Sequence, residues 1–398
     1  MQNDKIVILF TYPSVFNPII GGVERVTDTL AKELIRRGYV VLFLHLHPDE
    51  KNVKYDSPVP TFFYPSKDYL DQINFSFYHH FLREHQVDII VNQEGSFRDS
   101  KLYLSIGENK RIRRISCMHT NPLVNYNDLA QIIMGLKDDS FGEKVKFLKR
   151  CLTYLPKKRK YFNERKAQFE YIYNHSEVVC LLSKYFKKDL TRIYRGELDR
   201  VTAISNLNTY SQPLFPNIKE KKVLFVGRLV RIQKHPERLL KIWGKIYEKF
   251  PDWELVIVGD GSYRSYLEKK AKSLRNVVFE GFKDPAPYYE KASIFCLTSS
   301  VEGFGMVLTE AMQHGVVPMS FDSSSSVYDI IEHERNGIIV ESFNIDRYAS
   351  RLQELMHDSD KRTKMSINAY QDVKRFDKNC VVNQWEELFH NLIADNNR

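Results

Sequence analysis

Short apolar runs alternate with longer amphipathic stretches along this chain, and the alternation occurs twice. KIVILFTYP (5–13) is an uninterrupted apolar run of strand length, and a loop carrying Gly21 and Gly22 follows it. VERVTDTLAKELIRRG (23–38) then repeats its apolar residues at helical spacing, which predicts one face made of Val26, Leu30, Leu34 and Ile35. Gly38 is placed to stop the helix, and YVVLFLHLH (39–47) resumes as a strand. VDIIVNQ (87–93), RIRRISCMH (111–119) and SEVVCLLS (176–183) are further short strands, and VTAISNL (201–207) closes the first series.

A polar, turn-rich stretch, NTYSQPLFPNIKEKK (208–222), separates this series from the next. KVLFVGRL, WELVIVGDG, VVFEGF, SIFCLTSS and VVPMSF then read as strands. Between them, PERLLKIWGKIYEKFP, YRSYLEKKAKSL, PAPYYEKA and FGMVLTEAMQH read as helices, the first with Pro236 near its start. Strands alternating with crossover helices predict parallel sheets covered on both faces. The expected fold is therefore α/β, with two Rossmann-like doubly wound parallel-sheet domains, 1–207 and 208–378, facing across a cleft. The tail 379–398 has Val382, Trp385, Leu388 and Phe389 on one side and no strand after it, so it is expected to cross back and pack on the first domain.

Composition changes this picture little. The chain has 398 residues, 43% of them hydrophobic, enough for two cores. No apolar run approaches the roughly 18 residues that span a bilayer, and the first residues lack the features of a secretion signal, so the expected location is cytoplasmic. Five scattered cysteines without metal-ligand spacing are expected to be reduced, and no metal site is expected. The net charge of +9 lies mostly in residues 1–207, which carry 32 Lys and Arg against 24 Asp and Glu. Much of the excess sits in 143–166, where cations interleave with Phe147, Leu148, Leu152, Tyr154, Leu155, Tyr161 and Phe162. Such a segment suits peripheral contact with an anionic membrane on its cytoplasmic face, or equally a solvated helix pair over the core. No nucleic-acid-binding motif accompanies the charge, so nucleic acid is not an expected partner.

Two segments carry candidate chemistry. In VGRLVRIQKHPERL (226–239) a strand ends at Gly227, followed by Arg228 and, six residues on, Lys234. A guanidinium fork and a mobile ammonium at a strand's carboxyl end can meet phosphate oxygens. In SSVEGFGMVLTEAMQHGVVPMSFD (299–322), Glu302 and Glu310 flank Gly303-Phe304-Gly305 at the mouth of a helix. Helix N-termini favour anions and glycines bare the backbone, so the two acids are expected to hold hydroxyl groups on different parts of one extended, anion-bearing ligand. Glu310 lies among Leu308, Thr309, Ala311 and Met312, an apolar setting in which an idle carboxylate is expensive.

Gly227-Arg228, Lys234, Glu302-Gly303-Phe304-Gly305 and Glu310 together resemble the retaining family 4 glycosyltransferases of the GT-B fold, also described as glycosyl transferases group 1. The resemblance runs through nearly the whole chain. Gly21-Gly22-Val-Glu24 matches the family's glycine loop, His119 its histidine, and LLSKYFKKDL and AISNL, with Ser183 and Asn206, resemble its sensor-like Ser and its strand-ending Asn. The resemblance implies that Arg228 and Lys234 neutralise a departing diphosphate, that Glu310 holds ribose hydroxyls and that Glu302 lies against the transferred sugar. It further implies donor contacts by Gly21, Gly22, Gly227, Gly281, Phe282, Lys283, Gly303, Phe304, Gly305, Met306 and Val307, with His119 catalytic. The implied donor is a UDP- or GDP-sugar, with no metal and no other cofactor, and the implied acceptor is a glycan or a lipid-linked glycan of cell-surface polysaccharide. The first domain would then bind the acceptor and the second the donor. Thr120 stands where the family usually places an acid beside its histidine, and Ser205-Asn206-Leu207 replaces its Asn-Gly.

The other enzyme class considered is a nucleotide-sugar epimerase or NAD-dependent oxidoreductase on a Rossmann-type sheet. It would require a GxGxxG after Phe10, and none is present. A catalytically idle binding protein of the same fold is set against by the full complement of donor-site residues.

Overall fold

The computed structural model describes residues 5–13, 17–18, 21–45, 57–93, 97–107, 109, 111–124, 152–210, 215 and 219–394. Among these, one compact unit comprises the residues up to Thr209 together with 377–394, and the other is Tyr210–Phe376.

The first unit is built on strands β1 (Val7–Tyr12), β2 (Val40–His45), β3 (Thr61–Phe63), β4 (Ile89–Asn92), β5 (Arg113–Met118), β6 (Val178–Leu181) and β7 (Val201–Ala203). They form one parallel sheet in the order β3-β2-β1-β4-β5-β6-β7. The order reverses between β1 and β4, and ligands of open α/β sheets bind beyond the carboxyl ends of strands at such a switch point. Helix α1 (Gly22–Arg36) enters directly from the glycine loop, and α2 (Gln72–Glu84) is capped by the Asp71 carboxylate accepting from Ile73 N–H. Leu9, Leu44, Tyr64, Tyr78, Phe81 and Tyr103 fill the core beneath the sheet, with Tyr78 Oη donating to the Tyr103 carbonyl at 2.9 Å. Helices α3 (Phe97–Tyr103), α4 (Tyr154–His175) and α5 (Phe186–Leu190) complete the described part.

The second unit repeats the plan with β8 (Lys222–Val226), β9 (Glu254–Val258), β10 (Val277–Gly281), β11 (Ile294–Leu297), β12 (Val317–Phe321) and β13 (Ile338–Val340), in the parallel order β10-β9-β8-β11-β12-β13. Its switch point lies between β8 and β11. Helices α6 (Pro236–Trp243), α7 (Arg264–Ala271), α8 (Ala286–Lys291), α9 (Met306–Gln313), α10 (Val327–Ile330), α11 (Ile345–His357) and α12 (Ser359–Asp372) surround it. Phe225, Trp243, Trp253, Ile257, Met319 and Tyr348 form the buried centre of this unit. The final helix α13 (Lys378–Ala394) belongs to the first unit, where Val381, Val382, Trp385, Phe389 and Leu392 are buried. Arg37 binds Asn383 and Glu386 there, and Tyr39 packs edge-on against Phe389.

Two parallel-sheet α/β units agree with the fold class the pattern predicts. Some local readings change. Ile35 is 39% exposed, and Ala31 takes its place on the buried face of α1, because Leu30 and Leu34 already fill that stripe. The long helix expected over 236–251 ends at Trp243: Gly244 follows, and i→i+3 bonds from Lys245 to Ile242 and from Ile246 to Trp243 tighten the chain so that Trp243 and Ile246 are both buried.

Candidate functional site

At the switch point of the second unit, two loops are bound together. β8 ends at Val226, and the chain continues through Gly227 and Arg228 to Lys234 before α6. β11 ends at Leu297 and continues through Glu302 to α9. Ser300 N–H donates to the Gln233 carbonyl at 2.7 Å, and the Thr298 hydroxyl donates to the His235 carbonyl at 3.1 Å. Arg238 in turn donates to the Thr298 carbonyl at 3.1 Å. Gln233 and His235 hold φ values of +80° and +47°, uncommon for residues with a Cβ, so the backbone on both sides of Lys234 is strained and held by these bonds.

The strain aims the side chain. Lys234 Nζ lies 2.7 Å from Glu302 Oε1, forming an ion pair between two largely buried groups. The lysine stem crosses Gly227, where a Cβ would stand 3.8 Å from Lys234 Cδ. Beside it Arg228 is exposed, and among the described residues its guanidinium has no ion-pair or hydrogen-bond partner. The switch point therefore offers one uncommitted cation and one cation held by a carboxylate.

The backbone of the glycine loop supplies the other polarity. Gly305 adopts φ +102°, ψ +43°, a left-handed conformation that glycine reaches at no steric cost, and it caps α9. Phe304 is buried against Phe376, ring centroids 5.3 Å apart, so at this residue only the main chain is available to a ligand. The first amides of α9, at Met306 and Val307, precede the Leu308 N–H that bonds back to Gly305. Glu310, on the same helix, is 2% exposed, and its Oε2 accepts from the Tyr289 hydroxyl of α8 at 3.0 Å. The Tyr289 ring stacks on His314, whose Nδ1 donates to the Glu310 carbonyl at 2.8 Å. Burial keeps the His314 pKa below the usual histidine value, so this ring is neutral near pH 7.

The third expected segment follows β10. Gly281 has φ +78°, Phe282 is 80% exposed, and Lys283 pairs with Glu280 at 2.6 Å. The Gly281 carbonyl accepts from Gly259 N–H at 2.8 Å, and a Cβ on Gly259 would overlap the Gly227 carbonyl oxygen. The loops after β8, β9 and β10 thus touch backbone to backbone. Gly227, Lys234, Glu302 and Gly281 belong to one cluster of strand ends, with Arg228 and the start of α9 on the same loops.

Gly21, Gly22 and His119 lie in the first unit. Gly21 caps α1 in an extended conformation, Gly22 is its first residue, and the Glu24 carboxylate folds back over Gly21. His119 directly follows β5. Its Nε2 meets Gln93 Oε1, while Nδ1 is buried without a partner. Desolvation lowers its pKa from the usual histidine value to about 4, so the ring is uncharged near pH 7.

The part of the basic segment from 143 to 151 lies outside the described residues. Leu152 stands just before α4, whose two halves differ in burial. Phe169, Ile172 and Tyr173 bury the C-terminal half of α4, while Leu152 and Leu155 are 74% and 72% exposed beside the exposed Lys157, Arg159 and Lys160. No described helix is long and apolar enough to cross a membrane. Cys117, Cys180 and Cys296 are free and buried, and Cys380 is free and exposed.

Sequence reading missed several supporting residues. Gln233, Thr298 and Ser300 act through carbonyls, amides and a hydroxyl whose partners lie over 60 positions away. Tyr289 looked like an ordinary residue of a short helix, and Gly259 like a turn; the GDG spacing after a strand was the available signal for the latter.

Residues 20–207 match the family model described as Glycosyltransferase Family 4, and 208–372 the model described as Glycosyl transferases group 1. An uncharacterized glycosyltransferase of Haemophilus influenzae is 30% identical over 195 residues, 48% of this chain and 55% of that protein. A Campylobacter jejuni protein named GalNAc-alpha-(1->4)-GalNAc-alpha-(1->3)-diNAcBac-PP-undecaprenol alpha-1,4-N-acetyl-D-galactosaminyltransferase is 33% identical over 173 residues, 43% of this chain and 48% of that protein. The chain thus spans about half the length of these curated relatives. Among solved structures, Anabaena HepE in complex with UDP superposes with a TM-score of 0.73 at 16% identity, covering 97% of this chain and 100% of that one, a likeness of fold. The two family models together span 20–372, most of the chain, and the chain belongs to the family 4, group 1 glycosyltransferases.

Proposed function

We propose that the protein transfers a hexosyl unit from a nucleoside-diphosphate sugar to a glycan or lipid-linked acceptor, with retention of configuration, in the assembly of a cell-surface polysaccharide. The observation that carries this reading is the Lys234–Glu302 pair at the switch point, with the uncommitted Arg228 beside it. Arg228 and Lys234 meet the diphosphate as negative charge grows on the leaving oxygen. The amides of Gly303, Phe304, Gly305, Met306 and Val307 approach the phosphates and the sugar at the positive end of α9. Lys234 turns from Glu302 to the phosphate, which frees the carboxylate for a sugar hydroxyl. Glu310, steadied by Tyr289, accepts from the ribose hydroxyls, and the exposed Phe282 beside Gly281 and Lys283 covers the base.

In the transfer itself the bond from the anomeric carbon to the diphosphate oxygen breaks as the bond to the acceptor oxygen forms, and the acceptor's proton passes to the leaving phosphate. Glu302 is not the nucleophile in this scheme. The donor is UDP- or GDP-linked; the Anabaena relative in complex with UDP supports the former, and the Campylobacter relative's name supports a lipid-diphosphate acceptor. Gly21, Gly22 and His119 serve the reaction from the first unit. The exposed Leu152 and Leu155, beside the cations at the start of α4, support peripheral contact with the cytoplasmic face of an anionic membrane.

A panel of UDP- and GDP-sugars, assayed for nucleotide release with Arg228→Ala and Glu302→Ala alongside, tests the reading. Release by the wild type that collapses in both variants supports it; turnover unchanged by the substitutions defeats the site assignment. Vesicles with and without anionic lipid test the membrane contact, which charge reversal at Lys157, Lys158, Arg159 and Lys160 should abolish at low salt.

A further inference from the structure

Two polar side chains at the switch point of the first unit are matched to each other. Gln93 directly follows β4, and its N–H donates to the Thr11 carbonyl of β1 at 3.1 Å, which anchors it between the two strands where the sheet order reverses. Only 5% of the residue is exposed. Its Oε1 meets His119 Nε2, while the other ring nitrogen, Nδ1, has no solvent contact and no partner. His119 and Gln93 both line a cavity of about 20 Å³, enough for one water, and Thr27, whose hydroxyl is likewise buried without a partner, lines it too.

An amide oxygen only accepts, so its contact with Nε2 requires the proton to be on Nε2. The opposite arrangement, with the amide reversed and the proton on Nδ1, would orphan a buried donor rather than an acceptor, the rarer and costlier outcome. The groups around the ring do not favour a charge. Among the residues lining that cavity the titratable side chains besides His119 are the thiols Cys117 of β5 and Cys180 of β6. α1 brings Val26, Thr27 and Leu30, α13 brings Val381 and Trp385, and the nearby Asp28 of α1 is paired with Lys32.

We infer that Gln93 is a positioning residue that fixes His119 as the neutral imidazole protonated on Nε2, with Nδ1 left as a buried acceptor. Its consequence for transfer rests on the reading that His119 serves the reaction: the ring then takes part as a fixed dipole and not as a proton donor near pH 7. Asn or Ser at position 93 could not reach with the same geometry, and an acid there would favour the protonated ring.

Nitrogen NMR of the full chain labelled in histidine, with His119→Asn to assign the signal, reads the tautomer directly. The Nε2–H form at pH 7 is the expected result; an Nδ1–H form or an imidazolium overturns the inference. In Gln93→Glu the carboxylate should raise the His119 pKa by about 1–3 units and give kcat/KM a new dependence on pH between about 5 and 7. An unmoved titration there overturns it as well. Gln93→Leu should mix the tautomers and lower kcat about tenfold while donor KM stays within about twofold. Thermal melts check that both variants fold, and the wild-type spectrum decides the question even if neither does. The spectrum is independent of donor chemistry, so it can stand while the transfer reading fails, or the reverse.

Discussion

Lys234 Nζ sits 2.7 Å from Glu302 Oε1, and this pair joins the loop leaving β8 to the loop leaving β11. Neither partner is well solvated, so their mutual contact offsets the desolvation of both. A diphosphate arriving at Lys234 would exchange one anion for another with little loss, which leaves the binding site prepaid in charge before the ligand comes. Lys234→Met should lower kcat for sugar transfer by about 10²–10³-fold, the usual effect of deleting one group that stabilises developing charge. Glu302→Gln should lower it less, because the amide still meets a hydroxyl. In a double-mutant cycle on stability the two substitutions should couple by about 1–2 kcal/mol, since each alone strands a partly buried ion. Additive melting shifts would show that the pair is not formed in solution.

Gly259 makes a different kind of prediction, because its role is spatial. At φ +140° its α-carbon abuts the Gly227 carbonyl, where an added Cβ cannot fit. Gly38 also holds a positive φ, +99°, yet has nothing within 4 Å of the Cβ site. Gly259→Ala should therefore cost about 3 kcal/mol or more, while Gly38→Ala should cost only the conformational strain of about 1 kcal/mol. Chemical denaturation of both variants measures the difference. Gly259→Ala should also raise donor KM, since it pushes the Arg228 loop away from β9. Equal destabilisation by the two would mean the loops are not packed as described.

The sheets were legible because strands such as β4, β8 and β11 are largely apolar runs of four or five residues that are almost wholly buried. β3, with three half-buried residues, and β13, with three residues, carried too little pattern to read. Helices α11 and α12 were equally silent: they follow the last recognised motif, and their amphipathic stripes gave no chemistry to attract notice. At the site, Arg228, Lys234, Glu302 and Glu310 were readable as a set: cations after a strand end, an acid before a glycine loop and an acid inside an apolar helix together suggest a ligand that none of them suggests alone. What the pattern could not carry was how they are held. The Lys234–Glu302 pair spans 68 positions, the Tyr289–Glu310 bond 21, and the Gln93–His119 contact 26. Such partners are set by the sheet order, which crosses the sequence.

Tyr289 tests whether Glu310 needs its support. The hydroxyl is the hydrogen-bond donor to a carboxylate that is almost wholly buried, and such bonds to charged groups contribute about 1.5–3 kcal/mol. Tyr289→Phe keeps the ring and its stacking on His314, so the core should survive with a loss of that size in stability. If Glu310 holds the ribose, donor KM should rise about tenfold with kcat little changed, because the ribose is remote from the bond that breaks. A loss confined to kcat would place Glu310 nearer the chemistry.

His119 links the site to acid stability. Its folded pKa is lowered to about 4 by desolvation, while the unfolded chain titrates near the ordinary value of about 6.5. Between these values the unfolded state binds the extra proton, so stability rises with pH across that window. The contribution is fully present above about pH 6.5, and is lost as the pH falls toward 4, with a total of about 3 kcal/mol. His119→Phe removes the titration and should flatten the pH dependence of the denaturation midpoint between about pH 4 and 6.5, although it leaves Gln93 without a partner and lowers the plateau. Comparing the slopes, not the plateaus, separates the two effects. An unchanged slope in the variant would show that the ring is solvated in the folded protein and that the buried contact with Gln93 does not persist.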